Sequence, residues 1–147
     1  MRALAFIAFV TALALTSVCR VFAQAADDPG YVLVVNPANP VTSLDRAFVE
    51  DAFLKKLTRW SNDEVIRPAD LAPRSPVRRR FSETVLRRSV EAVKGYWQQR
   101  IFSGRDVPPP EFDTDEDVIR YVARYDGAVG YVSRSADLKS AKPVTVR

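Results

Sequence analysis

Apolar and polar positions alternate between two periods along this chain. Tyr31-Val32-Leu33-Val34-Val35 is a continuous, β-branched apolar run, the pattern of a strand covered on both faces. Asn36-Pro37-Ala38-Asn39-Pro40 ends it with turn residues. Leu44, Phe48 and Ala52 then recur every four residues beside Val49 and Phe53, which predicts an amphipathic helix capped by Thr42 or Ser43, with Asp45 near its positive end. Lys55, Lys56 and Arg59 follow, then Trp60 and a turn at Ser61-Asn62-Asp63. Glu64–Pro68 reads as a second short strand.

Ser75 is placed to cap the next helix, with Pro76 at its first position and Val77, Phe81 and Val85 as its inward stripe. Ser89 opens a further helix carrying Val90, Val93, Trp97 and Ile101, which Gly104 ends. Val107-Pro108-Pro109-Pro110 is a stiff extended link. Thr114 caps the last helix, Asp115, Glu116 and Asp117 fill its first turn, and Val118, Val122 and Tyr125 point inward. Gly127 can stop it at positive φ, Ala128–Val132 is a strand, and Pro143–Val146 is expected at a sheet edge. Short buried strands interleaved with amphipathic helices predict one α/β domain. Val34, Phe48, Phe53, Trp60, Phe81, Trp97, Val122 and Tyr131 are its expected core.

Before Tyr31 the pattern is different. Arg2, the apolar run Ala3–Leu15 and Ala23-Gln24-Ala25 have the layout of a cleaved export signal over residues 1–25, leaving 26–147 as the domain. Arg20 interrupts the run before it is long enough for a membrane anchor. Val18 ahead of Cys19 is a poor context for lipid attachment. A periplasmic location is therefore expected.

Composition narrows the chemistry. Among 147 residues there is no His and a single Cys, Cys19, which leaves with the signal. His-based triads, His/Cys zinc sites and thiol catalysis are excluded for the mature chain, and no paired-carboxylate motif replaces them; neither an enzyme nor a cofactor or metal site is expected. Loss of Arg2 and Arg20 takes the basic residues from 22 to 20 against 18 acidic ones, a net charge of +2, which gives no argument for nucleic acid.

Val34-Val35-Asn36, Phe53-Leu54-x-Lys56 with Trp60, Pro68 before a Ser-led helix, and Gly127-Ala128-Val129-Gly130-Tyr131-Val132 together resemble the phosphate-binding protein of ABC phosphate importers, the PstS-like group. The resemblance covers about residues 31 to 133 and corresponds to one of that group's two lobes. It implies a single lobe of a type II periplasmic-binding-protein-like fold, a mixed sheet flanked by helices. It also implies phosphate or a similar oxyanion as ligand, with an ABC transporter membrane component or another protein chain as partner. Lys55 and Asn62-Asp63 stand where that group usually has Gly. In the group's Ser-Gly-Thr grip, only Ser75 survives: Pro76 replaces the Gly, Val77 the Thr, and Leu71 the upstream Arg.

The helix start itself favours an anion, through free N–H groups and a partial positive charge. Arg74, Ser75, Val77 and Arg78 are the candidate ligand-binding residues. The other reading makes Ser75 a plain cap and Arg74, Arg78, Arg79, Arg80, Arg87 and Arg88 a solvated outer face. In function, these alternatives are a weak oxyanion binder or importer accessory, and a periplasmic protein-interaction module that has lost its ligand.

Overall fold

The computed structural model describes residues 29–147, so the export signal expected over residues 1–25 lies outside the described residues. The elements are β1 (Tyr31–Val35), β2 (Ser43–Leu44), α1 (Arg46–Phe53), β3 (Arg67–Leu71), α2 (Pro76–Phe81) continuing through a π-helical turn (Ser82–Leu86), α3 (Val90–Phe102), β4 (Glu111–Phe112), α4 (Asp115–Arg124), β5 (Ala128–Ser133) and β6 (Lys142–Val146). The strands form one mixed sheet in the order β2-β6-β1-β5-β3-β4. β5 lies antiparallel to β1 and parallel to β3, so β3 and β5 end at the same side of the sheet, beside the start of β1.

β5 is the centre because its sequence suits both faces. Tyr131 points to the α2 side and stacks on Phe81, with centroids 3.8 Å apart and the rings 7° from parallel. Phe53 and Tyr31 pack round that pair. The next residue along the pleat, Gly130, faces α4, where a Cβ would come within 2.7 Å of Val118 Cγ1 and 3.2 Å of Val122 Cγ2. The expected core is buried, apart from Phe48, which is half-buried against Trp60 at 5.3 Å between centroids.

Ser75, Ser89 and Thr114 cap α2, α3 and α4 as their positions predict, each hydroxyl accepting an N–H three residues on. Other expectations are corrected. Thr42 and Ser43 do not cap α1: Ser43–Leu44 pairs with Thr145–Val146 as β2, and Asp45 sits at the N-cap without a side-chain capping bond. β6 is consequently paired on both sides rather than lying at the edge. The strand expected at 64–68 starts later, because Trp60 N–H on Glu64 O and Ile66 N–H on Thr58 O tie residues 58–66 into a tight loop. Pairing with β5 begins only at Arg67. Gly127 is not at positive φ; a Cβ there would collide with the Val65 carbonyl, so close backbone approach requires the glycine. Ile101 faces outward, 51 % exposed.

Lys55 and Asp63 do adopt left-handed backbone, with φ of 51° and 65°. These are positions at which the resembling group carries Gly, and the strain of a side chain there is retained in this fold.

Candidate functional site

The parallel ends of β3 and β5 bring the start of α2 and the last residue of β5 to one end of the sheet. α2 begins there because Ser75 N–H closes a turn on Ala72 O at 2.9 Å, while Ala72 N–H is held by Phe112 O at 2.8 Å. Ser75 Oγ accepts the Arg78 N–H at 3.3 Å, and Pro76 fixes the first helical φ.

Arg78 does not join the outer arginines. It lies one turn before Phe81 on the same helix face, and its side chain is carried inward to 3 % exposure. Asp70, on the last turn of pleat in β3, meets it: Arg78 Nη1 forms a close ion pair with Asp70 Oδ2 and reaches Leu71 O at 3.3 Å. The other carboxylate oxygen, Oδ1, accepts a short hydrogen bond from Tyr131 OH and a 3.0 Å bond from Leu71 N–H. Burial pulls the Arg78 guanidinium below the usual arginine range, against the opposing pull of Tyr131 and Glu111. Burial likewise pushes the Tyr131 phenol well above its ordinary value, with Arg78 opposing. Arg78 Nε has no hydrogen-bond partner.

The rest of this end is also supplied with carboxylates. Arg74, 78 % exposed in its side chain, pairs with Asp113 at 2.7 Å. Asp115, in the first turn of α4, accepts the Ser133 N–H at 3.1 Å and a short bond from Ser133 Oγ. Glu116 pairs with Lys139 at 3.0 Å, and that hydrogen bond and charge hold its carboxyl below the usual range.

Of the four candidates, Arg74, Ser75 and the Val77 backbone are therefore grouped at the open end of α2. Arg78 contributes its N–H to the cap, while its guanidinium faces the interior. Val77 is half-buried against the core. Asp70 and Tyr131 were missed as partners. The available signal is an acid within an otherwise apolar stretch, Ala69-Asp70-Leu71, with Asp70 two residues beyond the expected strand end at Pro68.

No protein-family model matches the chain, and no curated protein does. Solved structures do match in fold. An ABC-type phosphate transport receptor from Vibrio cholerae superposes with a TM-score of 0.62 at 22% identity, covering 80% of this chain and 46% of that one. A putative phosphate ABC transporter substrate-binding protein from Clostridium perfringens, solved with bound phosphate, gives 0.62 at 24% identity, with coverages of 80% and 44%. PstS from Borrelia burgdorferi gives 0.61 at 9% identity, with coverages of 80% and 47%. The chain thus has the fold of a part of these proteins and spans less than half of their length, as the single-lobe resemblance implies.

Proposed function

We propose that this chain is an exported solute-binding-protein-like domain of the phosphate-import type, which takes phosphate or a similar oxyanion weakly at the start of α2. The observation that supports this most is the common fold over 80% of the chain with receptors described as phosphate-transporting, one of them holding phosphate. In this reading Arg74 supplies charge, Ser75 a hydroxyl, and Val77 the first unshared helical N–H. Arg78 supplies no charge to the ligand, since Asp70 already holds its guanidinium. Three groups in an open site correspond to millimolar affinity, about −4 kcal/mol. Tighter capture calls for a second surface that closes over the anion, supplied by a second lobe or by another chain such as an importer membrane component.

A second reading has its own observation. Arg74, Arg78 and Ser133 each already hold a carboxylate of this same chain. A lobe whose donors are answered internally suits a periplasmic protein-interaction module that no longer takes the anion. Titration of the mature protein with phosphate and with sulfate, followed by amide NMR, separates the two. Shifts at residues 74–78 that vanish in Arg74→Ala/Ser75→Ala support the first reading; none at tens of millimolar supports the second. Periplasmic recovery of a chain starting near Ala25 tests export, and an N-terminus at Met1 refutes it.

A further inference from the structure

Charge is not spread evenly over this fold. From Arg79 to Arg105 the chain carries seven basic residues against two acidic ones, Glu83 and Glu91, a net charge of +5. That stretch is the end of α2, the π-helical turn and α3, on the side of the sheet to which Tyr131 points. α3 packs on the π-helical turn, and its Tyr96 hydroxyl donates to the Leu54 carbonyl at 2.8 Å. On other parts of the surface Lys56, Arg74, Arg120 and Lys139 each pair with an acid of this chain. Among the described residues no ion pair engages any of the seven. Arg88 and Arg100 share one ring instead, their guanidinium carbons 5.8 and 5.5 Å from the Tyr96 centroid.

Apolar exposure falls in the same place. Ile101, Phe102 and Val107 are 51 %, 91 % and 60 % exposed, and among the described residues only Val65 joins them as an exposed large hydrophobic. They sit on the turn that ends α3, where Gly104 N–H bonds Ile101 O and Arg105 N–H bonds Arg100 O, each at 3.0 Å. Arg100 and Arg105 flank them. The acid on this turn, Asp106, is drawn back by Lys55 at 3.3 Å, so the turn presents apolar and basic side chains and no free carboxylate. Shape and spacing select the partner. Phe102 stands out from the fold, and a fluid hydrocarbon boundary accepts a protruding ring without a matching pocket. The cations are strung along two helices instead of converging on one point, which suits a continuous anionic surface better than a matched set of acids.

We propose that this side of the protein rests on an anionic lipid surface, with Ile101, Phe102 and Val107 entering the boundary between headgroups and chains and the unpaired cations meeting the headgroups. The oxyanion reading of the Arg74–Ser75 turn plays no part in it. Vesicle co-sedimentation of the chain from residue 26 onward, which holds every described element and lacks the apolar run Ala3–Leu15, tests it. Binding to phosphatidylglycerol vesicles is expected, about tenfold or more weaker to phosphatidylcholine vesicles, and fading as salt rises from about 0.05 to about 0.5 M. Phe102→Asp, at a side chain almost wholly in solvent, should weaken it about tenfold in a protein that keeps its folded spectrum. Lys94→Glu with Arg105→Glu should do the same. Arg120→Glu with Arg124→Glu makes an equal change of charge on α4, across the sheet, and should leave binding within about twofold. No sedimentation at about 1 mM phosphatidylglycerol overturns the proposal and leaves an acidic protein as the partner for this face. So does equal binding to phosphatidylcholine, binding that Phe102→Asp leaves unchanged, or binding that the α4 pair weakens as much as the α3 pair.

Discussion

The two faces of α2 carry the same residue type in opposite circumstances. Arg78, Arg79 and Arg80 are consecutive, yet Arg78 is sealed against Asp70 and Tyr131 while Arg79 and Arg80 are exposed. Successive helical residues point about 100° apart, so one of three must turn inward once Phe81 is committed to the core. The lesson is that an arginine run has no single role. Inside, the charge is tied to one carboxylate in a low-dielectric setting; outside, it is screened by water.

The largest test of that contrast is Asp70→Ala. It strips the partner from a buried guanidinium, which should cost about 3–5 kcal/mol in urea unfolding. Arg79→Ala should stay within about 0.5 kcal/mol, as for a surface site without special contacts. The double change Asp70→Leu with Arg78→Met should recover most of the loss, because removing both charges leaves none unpaired. A single change at Asp70 costing under about 1 kcal/mol would mean that water reaches the pair.

The second test uses pH. Burial in the native fold holds the Tyr131 phenol proton well above the ordinary tyrosine range. The unfolded chain therefore releases that proton first as pH rises, and stability falls with increasing alkalinity from about pH 10 upward, its full contribution being present below that. Denaturation midpoints between about pH 9 and pH 11 should show this decline, and Tyr131→Phe should flatten it. The same slope in the Phe variant would assign the effect to other tyrosines.

These contrasts also mark how far sequence alone reaches. Helix caps are local: Ser75, Ser89 and Thr114 each act on an N–H three residues away, so their roles are visible in short words of sequence. The core stripes of α2 and α4 are equally local, and the fold class follows from them. The Asp70–Tyr131 bond joins residues 61 apart, and only the parallel pairing of β3 with β5 makes it possible. A strand over Glu64–Pro68, ending before β3's true end at Leu71, leaves Asp70 outside it and Arg78 without an inward partner. Gly127 shows a similar limit. Its need for glycine comes from the carbonyl of a distant residue, Val65, and not from its own φ.

The smallest effect falls on the outer side, at Arg74. Its ion pair with Asp113 joins two largely exposed side chains, so Asp113→Asn should change stability by no more than about 1 kcal/mol and less in high salt. Its consequence for ligand is the sharper one. If Arg74 is the cation of a weak oxyanion site, Asp113 competes with the oxyanion for it. Releasing Arg74 should then tighten phosphate binding by up to about fivefold, the equivalent of the roughly 1 kcal/mol that such a surface pair is worth at most. Arg78 offers the internal control, because Asp70 cannot be displaced from it by a solute that stays at the surface. A phosphate titration of Asp113→Asn at low and high salt reads the difference. Tighter binding that fades as salt rises assigns the anion to the outer face of α2. Unchanged affinity would separate Arg74 from the ligand and leave the interaction module as the better account of this end of the sheet.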